Sequence, residues 1–470
     1  MGEPMKKEVT LKRAMGFWQS FGVAVGLVVA GTTMVSLAFS FGDIGPVFIV
    51  VAAVAGVGSI LIAMSYAELA AAIPGAGMIA DYTLPAMGKS MSIFGVLTGY
   101  IVLITAGGAC ECFIAGQAAQ ALHFPNFGSI PGYKAFALIL LLLFLVINFL
   151  GVEWLGISQI ILTIGMMGVL AVMGIGGLLG IGTVAEPMPV DFNPGGWGKV
   201  AVSMSAGIWL YIGIEYVCPM SEEIIKPEKT VPKAMICGVI AIFTCDMLFG
   251  EAIVRYIPLD VLVSSDVPQL AGAEAMFGGV GLTALAIATI FAGGSSADSH
   301  MAAVPRMLYG LARDGMLPKI FTYLHPRFRT PWVAIGVVFL CMCVPFFIGL
   351  DISSIMGLIG IACAAWLMSY VIVQVDLIIL RKKYPTLHRP FKSPAFPIPQ
   401  VIGLIICVYT ISTSGAGSLK GVLPYLAAFA AYSILWVKFK MKEPCFKPVP
   451  IDELTAVKVR FDDDAKGATV

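Results

Sequence analysis

Charge is scarce in this chain. Asp, Glu, Lys and Arg make up 12% of its 470 residues, about half the usage of a typical soluble domain, which excludes an ordinary water-facing surface. The two signs nearly cancel, to a net +1, so the basic face that nucleic acid requires is missing. The ten cysteines give no covalent framework either. Cys110, Cys112, Cys237, Cys245, Cys341, Cys343 and Cys363 lie inside apolar runs without metal-ligand or paired extracellular spacing, and read as small packing residues. No nucleophile–base or metal-ligand cluster appears, so an enzyme, a cofactor and a metal site are all unexpected. The N-terminal MGEPMKKEVTLKRA is polar and precedes an apolar run too long for a signal-peptide core, so no cleaved leader is expected.

What the chain has is apolar length. Hydrophobic residues make up 59% and the mean hydropathy is +0.92, which identifies a polytopic membrane protein. Runs of about 20 apolar residues each suffice to cross ~30 Å of hydrocarbon as a helix. Twelve such spans are predicted, at 16–41, 46–73, 93–121, 134–151, 157–183, 200–220, 233–257, 279–304, 332–350, 354–380, 400–418 and 422–438. With both termini cytoplasmic, every Lys and Arg except Lys134, Lys199, Arg255 and Lys420 falls on the cytoplasmic side. That bias supports the even span count and a cell-membrane protein of this orientation.

Two spans carry features that an uninterrupted helix would avoid. The first has Ala30, Gly31, Thr32 and Thr33 at mid-bilayer, and the sixth has Gly207, Gly213 and Pro219 around Glu215. A backbone break in lipid leaves polar groups unsatisfied at several kcal/mol each, so it persists only where protein or a polar cavity meets them. Breaks five spans apart point to an inverted-repeat transporter with its site at the midplane. Small residues serving only close helix packing are the alternative explanation.

Several motifs carry a family resemblance. Tyr66, Glu68, Leu69, Pro74 and Gly77 fill a Tyr-x-Glu-Leu-x-x-x-x-Pro-x-x-Gly-Gly signature, with Met78 in place of its second glycine and Gly88 following in the same stretch. WLYIGIEY and SEEIIKPEKTVPKA supply Gly213, Glu215, Glu222, Glu223, Pro227, Pro232 and Ala234 of a second pattern. PRMLYGLARDGMLPKIFTYLHPRFRTP and LRKKYPTLHRPFKSP match two cytoplasmic loops. In these the chain resembles the amino acid, polyamine and organocation (APC) transporters from its first span to its eleventh. The resemblance implies an all-α membrane protein of twelve transmembrane helices, with a leucine-transporter-type 5+5 inverted repeat plus two C-terminal helices. The divisions that follow are a cytoplasmic segment 1–15, repeats 16–183 and 184–380, a loop with helices eleven and twelve at 381–438, and a cytoplasmic tail 439–470.

In relatives the first break is Gly-Ser/Ala-Gly, and its freed N–H groups hold a substrate carboxylate at a half-helix N-terminus. Here that break aligns with Ala30, Gly31 and Thr32, so both flanking glycines are replaced. An amine without a carboxylate therefore stands beside an amino acid as the expected substrate. Some relatives carry a lysine in span five that resembles a fixed substitute for sodium; the matching position here is Met166.

A charge at bilayer depth costs at least ~2.5–3.5 kcal/mol and marks a pathway or a helix lock. The candidates are Glu111, Glu215, Asp246, Asp298 and His300, with no Lys or Arg among them. The expected substrate contacts are Ala30, Gly31, Thr32, Thr33, Glu111, Trp209, Tyr211, Gly213 and Glu215. Trp209 and Tyr211 would offer cation–π surfaces, with Tyr100, Trp366 and Tyr370 as weaker candidates. Coupling is expected at Asp298 or His300 for protons, or at Ser295, Ser296 and Ser299 for sodium. Glu68, Lys226, Arg306, Arg313 and Asp314 are expected near an inward gate. The reading is a secondary active transporter of amino acids or small organic amines, proton-coupled or exchanging. A membrane sensor of such ligands and a sodium-coupled symporter are the alternatives.

Overall fold

The structure, a computed structural model, describes residues 10–347 and 352–455. Parts of the expected N-terminal segment and tail, and the connection between spans nine and ten, lie outside the described residues. Among those described the chain is helical without strands; Met15 pairs with Ile224, and Phe127 with Ile130, as isolated bridges. The first span is two helices, α1 (Phe17–Gly26) and α2 (Gly31–Ile44), followed by α3 (Phe48–Ala72), α4 (Ile79–Met87) and α5 (Lys89–Val96). A π turn over Leu97–Ile101 leads into α6 (Val102–Ala121), then α7 (Gly132–Leu150) and α8 (Val152–Leu179). Next come α9 (Gly196–Val202), α10 (Met204–Trp209) and a 3-10 stretch Ile214–Glu223, then α11 (Pro227–Ile253) and α12 (Leu259–Ser264). The rest is α13 (Pro268–Arg313, two helical pieces joined at a kink at Gly278), α14 (Trp332–Phe347), α15 (Ile352–Lys383), α16 (Ile398–Thr413) and α17 (Ala416–Leu435).

Each of the twelve predicted spans overlaps at least one of these helices. Eight described helical segments are long and apolar enough to cross a membrane, nine if the bent pair Gly196–Val202 and Met204–Glu223 counts as one; α14 and α16 are shorter. The polarity is inverted relative to a soluble protein. Leu143, Trp154, Ile161 and Val172 are exposed on the perimeter, whereas Glu68, Gln159, Glu215, Asp298 and Gln374 are fully buried. Lipid tails suit the first group, and the interior must satisfy the second. α13 packs on α6 and α8, and α11 on α3 and α8, so α1, α2, α10 and the 3-10 stretch run through the middle of a helical frame.

The end that carries both described chain ends is sealed by charge. Arg306 and Glu223, each 1% exposed, form a two-pronged pair at 2.7 and 3.1 Å. Glu222 takes Arg313 at 2.8 Å and the Ala76 N–H at 2.9 Å. Glu68 holds Arg381 and Arg389 and accepts the Ser393 N–H at 2.7 Å. The N–H groups of Ala14 and Met15 both reach the Glu223 carbonyl at 2.9 Å. Of the residues expected at this gate, Lys226 is instead exposed, and Asp314 accepts from the Thr455 hydroxyl at 2.5 Å. Met78, in the signature's second-glycine position, has φ +48, a left-handed conformation that glycine adopts without steric cost.

Asp81 on α4, outside the candidate spans, belongs to this sealed end and accepts the Gly77 N–H at 3.0 Å. Burial pushes its carboxyl up to about 7; Asp314 and Glu222 add to the rise and the Arg313 charge opposes it. The unfolded value is ~3.9. Asp81 therefore contributes stability that is complete below its unfolded value and is lost as pH rises through about 7. Thermal unfolding of the purified protein should show a melting temperature that falls with pH across this window. Asp81→Asn should flatten that fall, and an unchanged slope would contradict the assignment.

Candidate functional site

The two interrupted spans face each other. α1 ends at Gly26, where an added Cβ would lie 2.1 Å from the Ser295 hydroxyl, so α1 and α13 meet only because this residue has no side chain. The chain is non-helical over 27–30, and Ala30 caps α2. The break thus begins three residues before the predicted Ala30 to Thr33, and Gly31, Thr32 and Thr33 form the first turn of α2. Gly31 is helical, and space is what it supplies: a Cβ there would sit 2.9 Å from Ile114 and 3.3 Å from the Glu111 carboxylate.

In the second interrupted span α10 stops at Trp209, and Gly213 has φ +114. Its N–H donates to the Tyr370 hydroxyl at 2.9 Å, and a Cβ would meet Trp366 at 3.0 Å. Glycine is the residue that takes this conformation and this approach.

Between the breaks lies a cavity lined by Ala30, Thr32, Thr33, Glu111, Trp209, Ser296, His300 and Trp366, with Leu27, Leu103, Gly107, Ile212 and Ala362 completing its wall. Its volume, about 30 Å³, holds a few waters in this conformation, so an amino acid or amine fits only once the walls part. A larger open cavity of about 490 Å³, lined partly by Val35, Phe39, Ser205, Cys363 and Thr410, shares Thr32 and Trp209 with the first. These two side chains therefore stand where a larger vestibule and the small chamber meet.

Glu111 reaches the chamber from α6, where α13 comes close enough that a Cβ on Gly293 would be 2.6 Å from the Glu111 carbonyl. Its carboxylate accepts the N–H of Thr32 at 3.1 Å and the Thr32 hydroxyl. One of the unpaired N–H groups that begin α2 is thereby met by a side chain of the protein. His300 Nδ1 lies 3.1 Å from the Tyr216 hydroxyl. The Ser296 Oγ makes no hydrogen bond among the described residues.

Glu215 is one layer back. Its carboxylate accepts from Trp366 Nε1 at 2.8 Å, from the Tyr100 hydroxyl at 3.2 Å and from the Tyr370 hydroxyl. It is not among the chamber's lining residues; Trp366, which it anchors, is. Tyr211 is also behind the wall, donating to the Ala52 carbonyl at 2.9 Å. Glu215→Gln places an amide donor among three donors and frees Trp366 to shift. The expected outcome is normal membrane abundance with ligand affinity weakened ~10-fold. Poor expression with normal binding by the remaining protein would make Glu215 purely structural.

Asp298 is also outside the chamber's lining, and binds three helices together. It accepts from Asn148 at 2.7 Å on α7, and from Ser158 at 2.6 Å and Gln159 at 3.1 Å on α8. Gln159 also donates to the Ser295 carbonyl at 3.0 Å and accepts the Ser295 hydroxyl at 2.8 Å, while Thr163 donates to the Gly22 carbonyl at 3.1 Å. Neutral side chains of α8 therefore join α1 to α13. Asp246 is buried on α11, with one carboxylate oxygen lacking a partner among the described residues, and Ser299 Oγ is likewise unpaired. Gln159, Ser158 and Asn148 were not anticipated as a group: no spacing links them, and each looks like a lone polar residue in an apolar run. No group of three or more potential metal ligands occurs among the described residues.

A family model described as amino acid permease matches residues 15–436. The methylthioribose transporter of Bacillus subtilis is 24% identical, across 86% of this chain and 88% of that one. The branched-chain amino acid permease BcaP of the same species is 24% identical across 87% and 89%. The human cystine/glutamate transporter is 26% identical across 87% and 82%. A solved structure of an Eremococcus coleocola manganese transporter mutant superposes with a TM-score of 0.57 at 14% identity, over 91% of this chain and 94% of that one. The last likeness concerns fold alone.

Proposed function

The chain belongs to the amino acid permease family, and on that premise we propose that it is a secondary active transporter working by alternating access. Membership makes it a multi-pass membrane protein that carries small molecules, not an enzyme. Our reading adds twelve spans built as a 5+5 inverted repeat plus two helices, with both termini cytoplasmic. The cargo is an amino acid or a small organic amine. The observation that carries this reading is the small chamber between two interrupted helices, beside a larger vestibule with which it shares Thr32 and Trp209. The buried ion pairs at the opposite end supply the second gate. Transport requires the two gates to open in turn, and each is built from contacts that can break without unfolding a helix.

In this reading Asp298 carries the coupling proton. Its donors come from α7 and α8 while it sits on α13, so protonation weakens a three-helix junction beside α1. Sodium is disfavoured because Gln159 and Thr163 already bridge α1 and α13. Reconstitution into proteoliposomes tests this: a pH gradient, acidic outside, should drive accumulation without sodium. Asp298→Asn should retain substrate exchange and lose the response to the gradient, whereas His300→Gln should keep it. Ligand binding without any flux would make the chain a sensor, and strict sodium dependence would move coupling to Ser295, Ser296 and Ser299.

A further inference from the structure

Resting on the transporter reading, we propose that the Glu111 carboxylate occupies the place where a substrate carboxylate would dock, so that the substrate is a cationic organic amine without a carboxylate. The N-terminus of α2, a helix of 14 residues, is the anion-binding element that the first break creates. Its Thr32 N–H and the Thr32 hydroxyl both go to Glu111. A carboxylate entering the chamber finds those donors taken and meets like charge at contact.

An ammonium finds the reverse. A carboxylate offers about four acceptor positions, and two on Glu111 are used. The others belong to a side chain that lines the chamber. Ser296, 1% exposed and lining the same chamber, has a hydroxyl without a partner among the described residues. It supplies an independent acceptor for a group that has only donors. Trp209 and Trp366 add indole surface suited to a cation, and no Lys or Arg lines the chamber. Glu215 does not compete for the ammonium, because its oxygens are held by Trp366, Tyr100 and Tyr370 behind the wall. Discrimination thus comes from a repulsive element as much as from an attractive one.

The test is thermal stabilisation of the purified full-length chain by matched pairs: 3-methylbutylamine against leucine, 2-phenylethylamine against phenylalanine, and putrescine against ornithine. At least one amine should stabilise the protein at concentrations ~100-fold below those its parent amino acid needs. Glu111→Gln, which keeps shape and loses charge, should weaken that amine ~10-fold or more. Glu111→Ala, which frees the α2 N–H groups, should gain stabilisation by the amino acid. Stabilisation by amino acids at concentrations equal to or below those of the amines, or by neither class, overturns the inference. Flux separates it from the reading beneath it. Amine binding without transport refutes the transporter and leaves the ligand class standing, whereas amino acid accumulation supports the transporter and refutes the ligand class.

Discussion

Gly31→Leu is expected to eliminate ligand binding while leaving the protein folded. Gly31 already has helical geometry, so leucine strains no dihedral. Its side chain must instead enter a space where the first added carbon lies 2.9 Å from Ile114 and 3.3 Å from Glu111. Either α2 moves away from α6, or the Glu111 carboxylate leaves the α2 N-terminus; both destroy the chamber wall that Thr32 and Glu111 share. Gly31 also directly follows the non-helical residues 27–30 that join α1 to α2, so flux should fall with binding. Ligand-induced thermal stabilisation reads this directly and should vanish. Unchanged stabilisation would place the ligand away from the first break. Gly31→Ala, adding only the Cβ, should fall between wild type and leucine.

Breaking the Arg306–Glu223 pair is expected to cost the most stability. Both side chains are 1% exposed, so removing one partner strands a charge in a medium that cannot solvate it. Arg306→Met alone, and Glu223→Leu alone, should each destabilise by about 3–5 kcal/mol, whereas an apolar replacement of both partners is often close to neutral. The double variant should therefore recover most of the melting temperature lost by either single one. Recovery of stability should not restore transport. Glu223 ends the 3-10 stretch of the second interrupted span, and its carbonyl holds the N–H groups of Ala14 and Met15, so the pair joins the chain entering α1 to that span and to α13. A double variant as unstable as the singles would show that the pair acts through packing rather than charge. Singles indistinguishable from wild type in melting temperature would show that this end is not sealed as described.

Much of this arrangement was readable from residue type and order. Apolar run length located a helix in every predicted span, because lipid leaves the backbone no partner but itself. Gly31, the adjacent hydroxyls and Gly213 marked the two interruptions, since interrupting residues in a hydrophobic run need a cause. The position of the first break was read slightly late because a glycine was taken as its centre, whereas Gly31 serves to admit α6 beside α2. Glu111 was recognisable as a buried acid but its partner was not: it caps a helix 79 residues earlier in the chain, and only the folded bundle joins them. Glu215 shows the same limit from the other side. Its neighbours in sequence suggest a cavity-facing acid, and donors from α15 and the π turn before α6 enclose it instead. The bridge of Gln159 and Thr163 carries no motif at all, because neutral polar side chains at i and i+4 occur wherever helices lock together.

Substrate should sit in the chamber between the two interrupted helices. A structure of the purified chain with the amine or amino acid that stabilises it most would show this directly. Ligand density is expected to be bounded by Thr32, Glu111, Ser296, Trp209 and Trp366, with the ligand's ammonium within hydrogen-bonding distance of the Glu111 carboxylate. Density confined to the vestibule beside Phe39, or lying against Glu215 and Tyr66 with the chamber unchanged, would contradict it.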